Sequence, residues 1–313
     1  MGPTVEHLLQ TLSTGILVGC LYGLLCVGLA FIFGIMRVIN FAQGDFMMLG
    51  MYIAVGVTLS FLGFLGASAP FVAALIAGIV MFLLGYLLHL LLISRTTGMR
   101  MSTELDSHQS QLILTLGVAL FLQNGMLFLV GSAPLAQISS LSYSAWQIPL
   151  LYDDVSAVFI NKARFLDALA AVLISVCLFA LMRYTRMGKS LRAAAEDPEA
   201  ALYMGIDVDK AHRIAFGLGA AIAGIAGGLI VLYYPAQPYV GLDFIIIMYA
   251  GVVLGGMGSV EGAFWGGMTI GLVQQLATLV IPLQLQNAAI FVVFVLILLV
   301  RPNGLFGRSV ERA

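Results

Sequence analysis

Nine apolar stretches follow one another along this chain of 313 residues, at 8–36, 38–63, 70–94, 109–130, 165–182, 214–234, 243–258, 262–281 and 287–300. About 20 apolar residues carry an α-helix across the hydrocarbon core of a bilayer. The pattern therefore restricts the chain to a bundle of membrane-crossing helices. Composition agrees: 61% of residues are hydrophobic and 9% charged, where a soluble domain carries about 25% charged. A soluble fold of this size could not cover so much apolar surface. The predicted fold is an all-α polytopic membrane bundle of eight or nine transmembrane helices, one domain over 1–313 with no room for a separate soluble one. Two regions read less simply. The stretch from Val38 opens with Asn40, Gln43 and Asp45, so its first turns are candidates for a re-entrant or interfacial segment. The stretches within 243–281 are short and Gly-rich, as broken helices are, and exposed backbone is tolerated at membrane depth only inside protein or beside a wet cavity. No internal repeat is evident by eye.

Loops that carry Lys and Arg stay in the cytoplasm. Twelve of the fourteen basic residues fall in alternate loops: Arg37; Arg95 and Arg100; Arg183, Arg186, Lys189, Arg192, Lys210 and Arg213; Arg301, Arg308 and Arg312. The opposite side holds Lys162 and Arg164. The expected topology has the C-terminus in the cytoplasm and, with nine spans, the N-terminus outside; one span fewer would flip the N-terminal end. The first stretch lacks the basic residues that precede a secretory signal and is expected to be a retained span. Of the two long loops, 131–164 is external and 183–213 internal.

Several function classes are disfavoured. A net charge of −1 argues against nucleic acid as a partner. Cys20, Cys26 and Cys177 lie in apolar stretches with no zinc spacing and no even count for a disulfide framework. The histidines at 7, 89, 108 and 212 are scattered, and no metal site is expected. His89 lies within a span and reads as a packed side chain. No nucleophile elbow or carboxylate pair stands out, so the chain is not expected to be an enzyme.

Small residues recur every four positions: Gly15, Gly19 and Gly23; Ala220, Gly224 and Gly228; Gly251 and Gly255; Gly262 and Gly266; Gly267 and Gly271. At helical spacing they make flat faces on which backbones approach closely. Polar residues within or beside spans are the candidates for a pathway. Asn40, Gln43 and Asp45 are grouped around Gly44 and are the chosen pathway or gate residues. Gln123, Asn124, Asp243, Glu261, Gln274 and Gln275 are more scattered, and Asp243 and Glu261 stand near span ends, where water reaches them.

The internal loop is the most informative stretch. Met187-Gly188-Lys189-Ser190 resembles the end of a phosphate-binding loop, but Arg183 stands where that pattern needs a glycine, and a membrane span precedes it in place of a strand. Residues 186–205 (RMGKSLRAAAEDPEAALYMG) predict two short helices. The first starts near Gly188-Lys189-Ser190 and holds Leu191 and Ala193 to Ala195. Asp197 would cap the second, Pro198 suits its first turn, and Gly205 would end it as a left-handed cap residue. By residue chemistry alone this is either a knob for another protein's groove or a solvated connector.

Glu199-Ala200-Ala201, three residues, then Gly205 resembles the EAA loop of ABC importer permeases. The stretch LRAAAEDPEAALYMGID is similar to the branched-chain amino-acid permease branch in particular. Val38 to Gly44 (VINFAQG), Gly255 to Ser259 (GGMGS) and Arg301 to Gly307 (RPNGLFG) agree with it in the family's order, over nearly the whole chain. Downstream of Gly205 the usual Ile-x-Leu-Pro ending is replaced by Ile214-Ala215-Phe216-Gly217. The resemblance implies an inner-membrane permease subunit whose loop 183–213 is a coupling loop, with Lys189, Arg192, Glu196, Asp197, Glu199, Ala200, Ala201 and Gly205 meeting ATPase subunits. It implies a second, similar permease, two cytoplasmic ATPases, a periplasmic binding protein and surrounding lipid as partners. No cofactor is implied beyond the ATP that the ATPases bind. Members of this branch also carry urea, short amides and aromatic acids, so these remain alternatives to branched-chain amino acids. An ion-coupled secondary transporter is the rival from another class.

Overall fold

The computed structural model describes residues 5–95, 104–137, 139–149, 157–282, 285–301, 304 and 306. Arg100, Asp153, Asp154, Arg308 and Arg312, with Pro302, Asn303, Leu305 and Gly307 of the C-terminal motif, lie outside the described residues. Each of the nine apolar stretches contains a helix. In chain order the helices are α1 (Val5–Met36), α2 (Gln43–Val57), α3 (Ala69–Leu91), α4 (Glu104–Val130), α5 (Lys162–Tyr184), α6 (Arg186–Glu196), α7 (Pro198–Tyr203), α8 (Val208–Ile230), α9 (Val240–Gly255), α10 (Val260–Ala277) and α11 (Gln286–Val300). Among the described residues six helices are long and apolar enough to cross a membrane outright, and α9 and α11 are shorter apolar helices. The expected all-α membrane bundle is therefore what the chain forms. The connector between α4 and α5 adds one antiparallel hairpin, β1 (Ala145–Pro149) with β2 (Ala157–Asn161), in register from Ala145 opposite Asn161 to Pro149 opposite Ala157.

Close approach of small residues sets the packing. The three glycines of α1 face α10: a Cβ on Gly15 would press on Leu272, one on Gly19 would strike the Met268 backbone, and one on Gly23 would strike Phe264. Gly267 and Gly271 answer from α10 against Tyr22 and Gly19. Gly224 and Gly228 of α8 meet Met81 and Ala74 of α3 in the same way. Such contacts replace the hydrophobic drive that lipid does not supply between helices.

These two pairs, α1 with α10 and α3 with α8, are the most extensive in the molecule. They exchange when α1, α2 and α3 are swapped with α8, α9 and α10. The same swap carries the α2–α3 contact onto α9–α10, and the α2–α8 contact onto α9–α1. The packing thus has an internal two-fold relation. In the sequence it is echoed by Asp45-Phe46 near the start of α2 and Asp243-Phe244 near the start of α9. α1 lies at the centre, with Leu24, Leu25, Cys26 and Phe31 wholly buried.

The two ends of the bundle differ. α5, with 23 residues, is about 34 Å long and links the hairpin at one end to α6 and α7 at the other. At the hairpin end, Gln10 of α1 and Phe159 of β2 exchange hydrogen bonds of 2.8 Å each. Lys162 and Arg164 lie over the Trp146 and Tyr233 rings, at 5.7 and 5.3 Å. The break between α9 and α10 is made by Gly256 and Gly258, at φ 99° and 93°. The C-terminal segment covers it, with Phe306 N donating to Gly255 O at 3.2 Å.

Candidate functional site

Two places gather the residues singled out by sequence. The first is deep in the bundle. α1 ends at Met36, and Arg37, at φ 53°, turns the chain back into a non-helical stretch before α2 begins at Gln43. In this stretch the Asn40 carboxamide oxygen accepts from Ala42 N at 3.1 Å, and its amide donates to Gln43 Oε1 at 3.1 Å. Gln43 Nε2 passes the link on to the Gly219 carbonyl of α8 at 3.0 Å. Asp45 Oδ1 accepts from Gln123 Nε2 of α4 at 2.9 Å. Asn40, Gln43 and Asp45 are exposed by 0, 0 and 2%. They make two buried polar links that tie α2 to α8 and to α4, and α2 starts inside the bundle.

The start of α2 also meets the start of α9. A Cβ on Gly44 would strike the Gly241 carbonyl, and one on Gly241 would strike the Asp45 carboxylate. Two helix N-termini therefore converge with one carboxylate between them. Each N-terminus carries a partial positive charge, and Asp45 in the first turn of α2 answers both. Around this crossing Tyr22 donates to Gln274 Oε1 at 2.8 Å, and Gln274 donates to Asn287 Oδ1 at 3.1 Å. Asn124 faces outward instead, bonded only to its own helix through the Leu120 carbonyl.

The second place is the loop between α5 and α8. Thr185 caps α6, accepting from Gly188 N at 3.0 Å. Asp197 caps α7, accepting from Glu199 N and Ala200 N at 3.0 Å each, with Pro198 at the first helical position. Gly205 takes φ 79°; its N–H reaches Leu202 O at 2.9 Å, and Ile206 N reaches Ala201 O at 2.9 Å. That is a Schellman end. Gly188, Leu191, Ala194 and Ala201 are buried against the bundle, whereas Lys189, Arg192, Glu196, Asp197, Glu199, Ala200 and Gly205 are exposed. Ala201 thus holds the knob onto the bundle while its neighbours face out.

Sequence reasoning passed over two features. Leu202, Tyr203 and Met204 project from the knob at 47, 90 and 81% exposure; an apolar triplet at a helix end inside a charged loop was the available signal. Asp167, the one acid within the stretch 165–182, is fully buried on the inner face of α5, and neither carboxylate oxygen has a hydrogen-bond partner. His89 and His212, far apart in sequence, come within 6.5 Å between ring centroids. No group of three or more metal-ligating side chains forms among the described residues.

Comparison with known proteins bears on both places together. The family described as branched-chain amino acid transport system / permease component matches residues 11–300. The high-affinity branched-chain amino acid transport system permease protein LivH of Escherichia coli K12 is 29% identical over 309 residues, covering 96% of each chain. LivH of Salmonella typhimurium is 30% identical over 305 residues, again 96% of each. BraD of Pseudomonas aeruginosa, a permease protein of the same description, is 29% identical over 314 residues and 98% of each. No solved structure matches the chain. A match running from the first helix to the last leaves no part of the bundle unexplained: the chain belongs to the family of permease components of branched-chain amino acid transport systems.

Proposed function

We propose that this chain is a transmembrane subunit of an ABC importer that moves branched-chain amino acids into the cytoplasm, with separate ATPase subunits supplying the energy. The observation that carries this reading is the knob: two capped short helices seated on the bundle by Leu191, Ala194 and Ala201, with Tyr203 and Met204 exposed at the tip. An amphipathic helical projection of this kind fits an apolar groove on another protein. Glu199, Ala200 and Gly205 stand on its outer side, and Lys189, Arg192, Glu196 and Asp197 line its approach. The knob end faces the cytoplasm and the hairpin end faces a periplasmic binding protein. A second permease completes the passage.

The crossing of α2 and α9 is the gate. Opening a path there requires breaking the Asn40–Gln43–Gly219 and Asp45–Gln123 links, which are matched in the closed form. A population shift of this kind needs a ligand that binds the two states differently, and ATP-driven closure of the partner ATPases on the knob supplies the difference. No cofactor is needed in this subunit itself.

Co-purification and reconstitution test the reading. The chain is expected to leave detergent with ATPase subunits and to take up leucine in liposomes only when ATP and the binding protein are present. Glu199→Arg is expected to abolish that uptake while leaving insertion intact. ATP-independent uptake by the chain alone, or normal uptake by Glu199→Arg, would overturn it.

A further inference from the structure

On the knob side of the bundle a cleft of about 910 Å³ opens between α1, α5, α6 and the turn joining α9 to α10. Its inner wall is apolar: Phe31 and Ile35 of α1, Val176 and Phe179 of α5, Met257 of the turn, and Phe306. Exposed at its edge are Arg183, from the last turn of α5, Arg192 of α6 and Glu261 of α10. Arg183 lies over the Tyr184 ring at 5.8 Å, and Tyr184 is 75% exposed, as an aromatic side chain at a membrane interface is. Away from the cleft, α5 continues outward as an exposed apolar surface through Leu169, Leu173 and Val176, which in a membrane is a surface for acyl chains.

A pocket with an apolar interior continuous with the lipid-facing surface, and with two guanidiniums at the interfacial rim, has the chemistry of a phospholipid site. The apolar walls take a chain, and arginine forks match phosphate oxygens. Basic pockets between helices on the cytoplasmic side hold anionic headgroups for this reason. The three charged rim residues sum to one positive charge, so the headgroup that complements them carries one negative charge. We infer that the cleft binds an anionic glycerophospholipid, its phosphate between Arg183 and Arg192 and one acyl chain against Val176 and Phe179. The site wedges between the coupling helix α6 and the central helix α1. The inference rests on the reading of the knob side as cytoplasmic, and the test below uses no nucleotide, so it is separable from ATP-driven uptake.

The experiment is native mass spectrometry of the importer, purified in detergent and exchanged into equimolar phosphatidylglycerol and phosphatidylcholine. Phosphatidylglycerol is expected to be retained about tenfold over phosphatidylcholine, a difference of about 1.4 kcal/mol. The double substitution Arg183→Gln with Arg192→Gln is expected to remove the preference, and Glu261→Gln to raise it. If the double variant fails to fold, Ala195→Trp, which fills the cleft from α6, is expected to lower retention of both lipids. Equal retention of the two lipids, an unchanged preference after the double substitution or after Glu261→Gln, or unchanged retention after Ala195→Trp would overturn the proposal. Displacement of the lipid by leucine, or its loss when the second permease binds, would also overturn it, by assigning the cleft to the substrate path or to the subunit interface.

Discussion

Gly205 shows how much one backbone angle decides. At φ 79° it ends α7 with the paired bonds to Ala201 and Leu202, and so fixes where Tyr203 and Met204 point. A β-branched residue there costs on the order of 1–3 kcal/mol. Gly205→Val is expected to leave insertion intact but cut ATP-driven uptake at least severalfold; wild-type uptake would show that the tip's direction is immaterial. Asp167 is the opposite case, a buried carboxyl without a hydrogen bond. Both oxygens are buried without partners, among Ala163, Ala168 and Ala171 on one face of α5. An unmatched buried polar group costs about 1–3 kcal/mol. Asp167→Ala continues that small face and is expected to raise the melting temperature of the detergent-solubilised protein by a few degrees. A lower melting temperature would mean that the carboxylate has a stabilising partner after all.

Among the elements, the knob was legible from sequence and the crossing was not, for a physical reason. The caps of α6 and α7 are made within three residues of each helix start, and the end of α7 within five. The residue types at 185, 197, 198 and 205 therefore specify the element directly. The meeting of α2 with α9 joins residues nearly two hundred positions apart. Gly44 and Gly241 show only that something approaches closely, not what. The same holds for α1: spacing identifies a flat face at Gly15, Gly19 and Gly23, but only the fold supplies α10 as its partner. The hairpin at 145–161 was hidden because its strands are five residues each within a loop of mixed polarity. The α1–α10 contact carries its own test. Gly19→Leu drives a branched side chain into the Met268 backbone. Overpacking of this kind costs about 1–3 kcal/mol, and more where backbone opposes backbone. The variant is expected to melt several degrees lower and to lose uptake, whereas Gly56→Leu, where nothing stands within 4 Å of the added carbon, is expected to change neither.

For the whole molecule, the packing speaks to a count that the charge pattern left open. Basic residues place the two ends of the chain on opposite sides only if nine segments cross. The structure ties those ends independently. Gln10 of α1 is bonded to β2 at the hairpin end, and Phe306 lines the same cleft as Arg192 at the knob end. Since α5 connects hairpin to knob, Gln10 and Phe306 lie at opposite ends of the bundle, where an odd number of crossings between them would place them. The internal two-fold relation is compatible with the same parity, as an inverted repeat. It maps the α1–α8 contact onto itself, and α1 and α8 run in opposite directions when five crossings, α1 to α5, precede α8. Single cysteines at exposed sites decide the matter in a background where the exposed Cys177 is replaced by serine, since Cys20 and Cys26 are buried. Leu8→Cys and Tyr143→Cys, 41 and 79% exposed, are expected to react with a membrane-impermeant maleimide in right-side-out vesicles, and Tyr203→Cys, 90% exposed, only in inside-out ones. Labelling of Leu8→Cys and Tyr203→Cys from the same side would mean an even count up to the knob. The two-fold relation between α1–α3 and α8–α10 would then be one of packing alone, without inverted topology.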